Sequence, residues 1–145
     1  MYTQPNEQSV STGADGVEVV LRYLAASNAG DRAAVEELLA DEASFTLWGR
    51  LPVSGTTVGK RAIVESLMPG ARKLFQPGTL QLQPLHVMAD RDHVVAEVHA
   101  EGTSATGIAY DTQYCMVFRV CDGQIHAVRE YMDTSYAETV LCPHL

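Results

Sequence analysis

Apolar and polar positions change their spacing twice along the chain, and those changes divide it into elements. From Asp15 to Asn28, Val17, Val20, Leu21 and Leu24 recur at helical spacing and predict a first helix, with Glu18 and Arg22 turned away from the apolar stripe. Ala29-Gly30 stops it. Asp31 can then cap a second helix whose buried face is Ala34, Val35, Leu38 and Leu39. Ser44 to Trp48 is rich in β-forming residues and is followed by Gly49, Pro52 and Gly55, which predicts a strand entering a loop. A third helix is expected after Gly59, with Ile63, Val64 and Leu67 inward and Pro69-Gly70 ending or bending it before Leu74 and Phe75.

Beyond Gly78 the pattern becomes extended. Leu80 to Met88, His93 to Glu101, Ile108 to Val120 and Gln124 to Met132 read as four strands separated by turn-forming segments, the arrangement of an antiparallel meander. Helices first and strands last predict an α+β fold, with helices packed on one face of a curved sheet.

The length of 145 residues, 46% of them hydrophobic, suits one domain with one substantial core. The expected division is a flexible leader over 1–13, a single domain over 14–140 and a C-terminal tail over 141–145. Ten Lys plus Arg against eighteen Asp plus Glu give a net charge of −8, which argues against nucleic acid or anionic lipid as partner. No stretch approaches the roughly 18 apolar residues of a membrane span. Cys115, Cys121 and Cys142 lack CxxC spacing, and their odd number fits a reducing compartment, so the cytoplasm is the expected location.

Local sequences sharpen this outline. Tyr23-Leu24-Ala25-Ala26 leading to Gly30-Asp31, Leu39-Ala40-Asp41-Glu42-Ala43, and Ser54-Gly55 with Gly59 before a helix resemble the N-terminal half of SnoaL-like proteins. Tyr110-Asp111 with Tyr114, Val117-Phe118-Arg119-Val120, Asp122-Gly123-Gln124-Ile125 and Arg129-Glu130-Tyr131-Met132-Asp133-Thr134 resemble that family's closing hairpin. The resemblance spans about Val17 to Thr134 and belongs to the SnoaL-like, ketosteroid isomerase-like branch of the nuclear transport factor 2 superfamily. It implies a cone-shaped, helix-backed curved antiparallel sheet, the cystatin-like α+β roll. The superfamily holds isomerases, epoxide hydrolases, dehydratases, cyclases and non-catalytic binding proteins, so fold leaves function open.

Strand alternation divides the candidate site residues into two faces. In the last strand His126, Val128, Glu130 and Met132 form one set, and Ile125, Ala127, Arg129 and Tyr131 the other. The resemblance implies that the Glu130 set points into the cone, with Thr112, Tyr114, Met116 and Phe118 from the preceding strand and Glu97 with His99 from the one before. Tyr110 shares that inward parity, where packing explains an aromatic.

Tyr23 matches the oxyanion-binding tyrosine of the isomerase relatives, while their base position holds Leu47 and their second oxyanion position holds Tyr114. The epoxide hydrolase set of an Arg-x-Asp pair and a last-strand aspartate is matched by Glu97-Val98-His99 and Glu130. On the helix, Tyr23 falls about 100° from the centre of the apolar stripe, where its ring can pack and its hydroxyl reach a cavity.

These positions predict a pocket enzyme using acid/base chemistry on a hydrophobic carbonyl, polyketide-like or terpenoid-like substrate, as an isomerase, cyclase, dehydratase or hydrolase. His99 would transfer a proton, Glu97 or Glu130 would orient or share it, and Tyr23 would bind a developing oxyanion. Val20, Phe45, Leu47, Trp48, Thr112, Tyr114, Met116, Val128 and Met132 would wall the pocket. The alternative is a non-catalytic module that binds an apolar ligand or dimerises. His93 sits beside a turn without a cluster of ligands, and neither metal nor cofactor is expected. His86, His126 and His144 receive no role, and Asp133 is expected to cap the segment from Thr134 to Thr139. The outward set Cys115, Val117, Ile125, Ala127 and Tyr131 predicts a homodimer through the outer sheet face.

Overall fold

The computed structural model describes residues 13–143; most of the expected leader and the end of the expected tail lie outside the described residues. The elements are α1 (Gly13–Ala29), α2 (Arg32–Leu38), β1 (Leu39–Leu47), β2 (Gly55–Val58), α3 (Lys60–Ala62), a π-helical turn (Ile63–Leu67), α4 (Met68–Arg72), β3 (Gln81–Asp90), β4 (His93–Thr103), β5 (Ala109–Cys121), β6 (Gln124–Met132) and α5 (Thr134–Leu141). The six strands form one sheet in the order β2-β1-β6-β5-β4-β3, and the helices back it in an α+β architecture. All neighbours are antiparallel except β1 and β6, which run parallel.

The helical hairpin forms as its punctuation requires. Asp31 Oδ1 accepts a hydrogen bond of 3.1 Å from the Ala34 amide, capping α2. The buried face of α1 includes Val20 and Leu24 of the expected stripe, with Val17 packed at its edge, but it turns toward Val19 and Tyr23, and Leu21 is 40% exposed. Aliphatic spacing alone leaves out Tyr23, which is one of the most deeply buried side chains of the helix.

β1 starts five residues earlier than its β-forming segment, and Gly55–Val58, expected as loop, returns beside it as β2. The two hold together through backbone pairing and a 2.9 Å hydrogen bond between the Thr46 and Thr56 hydroxyls. The segment beyond Gly59 is helical throughout but contains one wide turn, in which the Met68 amide bonds to the Ile63 carbonyl five residues back. Pro69 has no amide hydrogen to donate and its ring crowds a normal turn; widening the turn by one residue accommodates it.

The β5–β6 hairpin turns through Asp122 and Gly123, both at positive φ, the conformation a two-residue turn demands. Just beyond it, Arg119 pairs with Ala127 but Val120 pairs with Ile125, so β6 carries one extra residue at His126. This bulge changes the face of Ile125, which is fully buried, contrary to its expected outward position. His126 turns outward instead, where Nδ1 lies 3.0 Å from Glu42 Oε1.

Candidate functional site

Between the helices and the concave face of the sheet lies a cavity of about 100 Å³. Its walls are apolar side chains from every layer, among them Phe45 and Leu47 of β1, Tyr114 and Met116 of β5, and Met132 of β6. Those five expected wall residues do line it. Val20 and Val128 are instead sealed in the core, Thr112 is half-buried beyond the cavity lining, and Trp48 is 51% exposed. Because Leu47 points inward, its neighbour Trp48 must point outward. The indole stacks on Tyr131 with ring centroids 6.1 Å apart.

The polar groups converging on the cavity begin with Glu130. It pairs with Leu47 on one side and Met116 on the other, in the middle of the sheet. Its side chain is only 6% exposed. Among the described residues no donor bonds its carboxyl, and burial alone pushes its pKa up to about 7. No described side-chain oxygen or nitrogen is both fully sealed and unbonded, so the carboxyl opens onto the cavity.

Tyr23 of α1 faces the same space, its ring edge-to-face with Phe118 at 5.6 Å. Burial raises the Tyr23 pKa most, the negative charge of Glu130 adds to the rise, and the Arg72 guanidinium opposes it. Tyr114 also lines the cavity, its hydroxyl 2.7 Å from that of Tyr110. Burial is the first cause of upward shifts in both, and Tyr110 reaches about 12. All three phenols are therefore neutral near pH 7 and able to donate hydrogen bonds.

Glu97 and His99 do not join this group. On β4 the buried residues are Val94, Ala96, Val98 and Ala100, which places Glu97 and His99 on the outer face of the sheet. There His99 Nε2 meets Asp111 Oδ1 at 2.6 Å and His86 Nδ1 meets Glu97 Oε1 at 3.4 Å. The expected convergence of Glu97, His99 and Glu130 is absent because the parity of β4 is opposite to the one expected. The unbroken small apolar set of β4 carried that information: Val-x-Ala-x-Val-x-Ala is the face that packs beneath the helices.

Arg72 and Ser27 were missed. Both line the cavity, and Arg72 Nη2 donates to the Ser27 carbonyl oxygen and, at 3.2 Å, to the Ser27 hydroxyl. The wide turn before Pro69 breaks the period that had ended at Leu67, turning Met68, Ala71 and Arg72 toward the cavity. A Pro-Gly pair inside a helical pattern was the available signal.

Among the described residues no three His, Cys, Asp or Glu side chains converge to hold a metal. No described helix is long and apolar enough to cross a membrane. The cavity chemistry is thus the Glu130 carboxyl, the phenols of Tyr23 and Tyr114, the Ser27 hydroxyl and the Arg72 guanidinium on an apolar wall, with Tyr110 behind Tyr114.

Residues 20–128 match the SnoaL-like domain family. The chain belongs to that family. Among solved structures, Bal32a from a soil-derived mobile gene cassette is 26% identical, with 90% of this chain and 99% of that one covered at a TM-score of 0.82. An NTF2-like protein from Burkholderia xenovorans LB400 is 20% identical over 90% of this chain and 98% of that one, TM-score 0.78. A protein named as a SnoaL-like polyketide cyclase from Jannaschia sp. CCS1 is 18% identical over 97% of each chain, TM-score 0.77. The last two likenesses concern the fold. No curated protein sequence matches the SnoaL-like chain.

Proposed function

We propose that this SnoaL-like protein is a cofactor-independent enzyme that moves a proton at a carbon next to a carbonyl in a small hydrophobic substrate. The observation that carries the reading is Glu130: a buried carboxyl without a described hydrogen-bond partner, opening onto an apolar cavity, with its pKa raised to about 7. A purely structural carboxylate in such a place would cost several kcal/mol without a compensating partner. A carboxyl with a pKa near neutral is instead suited to accept a proton and return it.

In this reading Glu130 acts as the base, and the neutral hydroxyls of Tyr23 and of the Tyr114–Tyr110 pair are the donors for the enolate oxygen. Proton return to a different carbon gives isomerisation; attack of the enolate on a second carbonyl opens that C=O π bond to an alkoxide, which takes the proton back from Glu130 and gives cyclisation. The apolar wall and the polyketide-cyclase name of the Jannaschia relative support a polyketide-like or terpenoid-like carbonyl compound.

The test is deuterium uptake from solvent at the α-carbon of a bicyclic ketone such as 2-tetralone, followed by NMR. Wild-type protein is expected to accelerate exchange, and Glu130→Gln to lower the rate by roughly 10²–10⁴-fold with the fold intact. Equal exchange rates in the two proteins, with the ketone still bound, would establish the non-catalytic binding module instead.

Cys115, Cys121 and Cys142 form no disulfide, which supports a reducing compartment such as the cytoplasm. A second copy of the chain is the proposed occupant of the outer sheet face, where Trp48, Met88 and Tyr131 are exposed.

A further inference from the structure

The cavity wall is apolar, yet its rim carries a cation. Arg72 lines the main cavity and also two neighbouring depressions, so this one side chain borders all three spaces. One of its nitrogens is committed to Ser27 near the C-terminal end of α1, where a cation also complements the helix dipole. That contact uses Nη2 only. Among the described residues no carboxylate pairs with Arg72.

Besides Arg72, the charged residues of the adjoining depressions are Arg32, Lys73 and one carboxylate, Asp31, which caps α2. Arg32, in one adjoining depression, is neutralised by Glu36 at 2.9 Å and Glu65 at 3.3 Å. Lys73, in the other, stands beside Arg72 in sequence and adds positive charge to the same mouth. The Arg72 charge also reaches inward, since it acts on the Tyr23 hydroxyl across the cavity.

We propose that Arg72 is a specificity-determining residue that holds a carboxylate on one end of the ligand at the cavity rim, while the ligand's apolar body lies along the wall toward Glu130. This rests on the proton-transfer reading and narrows its substrate class to hydrophobic carbonyl compounds that also carry a carboxylate. The planar guanidinium, with Nη2 fixed by Ser27, is pre-oriented to present its remaining N–H groups to two oxygens. Lys73 contributes attraction over distance without defining the geometry.

The experiment compares binding of 3-phenylpropanoate and its neutral isostere 3-phenylpropanamide by calorimetry at low salt and about pH 6, where Glu130 is mostly protonated. Wild-type protein and Glu130→Gln are both expected to favour the acid by about tenfold or more, the scale of a charge-assisted hydrogen bond. In Arg72→Gln the preference is expected to fall to near one, with the amide bound within about threefold of wild type, which a lost helix cap alone would not produce. Arg72→Lys, which keeps the charge beside α1, guards against a folding failure and is expected to retain part of the preference. Equal binding of acid and amide by wild type, an unchanged preference in Arg72→Gln, or no binding of either compound would each overturn the proposal. Loss of α-carbon exchange is read separately, so failure here leaves the role of Glu130 standing on its own test.

Discussion

The hydroxyls of Tyr110 and Tyr114 lie 2.7 Å apart in the interior, joining two rings that sit four residues apart on one face of β5. Tyr110 is also held between Phe75, edge-to-face at 5.3 Å, and Tyr136, stacked at 5.5 Å. Tyr110→Phe should therefore keep the packing and remove only the hydroxyl contact, at a cost of about 1–2 kcal/mol. The double variant with Tyr114→Phe should cost less than the sum of the two single ones. Urea unfolding of all four proteins measures the coupling, and strict additivity would show that the two hydroxyls do not stabilise one another.

Glu130 makes stability depend on pH in a defined direction. Its folded pKa of about 7 lies above the ordinary glutamate value of 4.5, so the folded state binds the extra proton between them. The contribution is complete below the unfolded pKa and is lost as pH rises through about 7, for a total of about 3 kcal/mol. Glu130→Gln has no such loss. Its stability relative to wild type should increase on going from about pH 4 to about pH 8, and a pH-independent difference in denaturant unfolding would contradict the buried carboxyl.

The same group sets the expected rate profile. If the ionised carboxyl removes the proton, α-carbon exchange should rise with pH and level off above about 7. Tyr23→Phe should lower the plateau by roughly 10–100-fold through loss of an oxyanion donor while leaving the midpoint close to its wild-type position. A profile that falls across this range would assign the proton-donating form of Glu130 to the slow step.

Gly49 leads out of β1 at a φ of 115°, and a Cβ there would stand 2.6 Å from Thr134 Cγ2. Gly49→Ala is expected to destabilise the protein by about 1–3 kcal/mol through backbone strain and this collision. Thr134→Ser removes the colliding methyl group, so in combination it should restore part of the loss and leave the backbone share. Thermal denaturation of the single and double variants separates the two.

A dimer built on the outer sheet face should be sensitive to charge at Tyr131, which is 42% exposed and stacked on Trp48. Tyr131→Glu is expected to convert a dimeric sedimentation mass to a monomeric one with little change in the cavity chemistry. A monomeric wild-type protein at micromolar concentration would remove the sheet face as a self-association surface.

Much of the architecture was legible because local signals agreed with one another. Asp31, Asp133 and the Asp122-Gly123 turn each sit where their backbone chemistry is needed, and the last strand has the bounds its pattern predicts. Asp133 Oδ1 indeed accepts from the Tyr136 amide at 3.0 Å to begin α5. The site was harder to read because side-chain direction depends on single-residue offsets. Alternation only sorts residues into two faces; the family resemblance supplied the inward sense, correctly for Glu130 but not on β4, where it would have put the four small apolar residues Val94, Ala96, Val98 and Ala100 outside. Arg72 was hidden by an offset of another kind, a widened helical turn that helical spacing does not register.

Leu47 and Glu130 are paired neighbours in the sheet, and the Trp48 amide donates to the Glu130 carbonyl at 3.3 Å. The first strand thus waits for the last, across most of the polypeptide. During synthesis, α1 to α4 and β1 emerge well before any partner for β1's inner edge exists, and a chain stopped before β6 has neither the Glu130 carboxyl for the cavity nor a closed wall around it. Loop closure over such a span is slow compared with hairpin formation. Assembly of the cavity is therefore expected to be a late event in the chain's folding, and its apolar lining would be on display to chaperones until then.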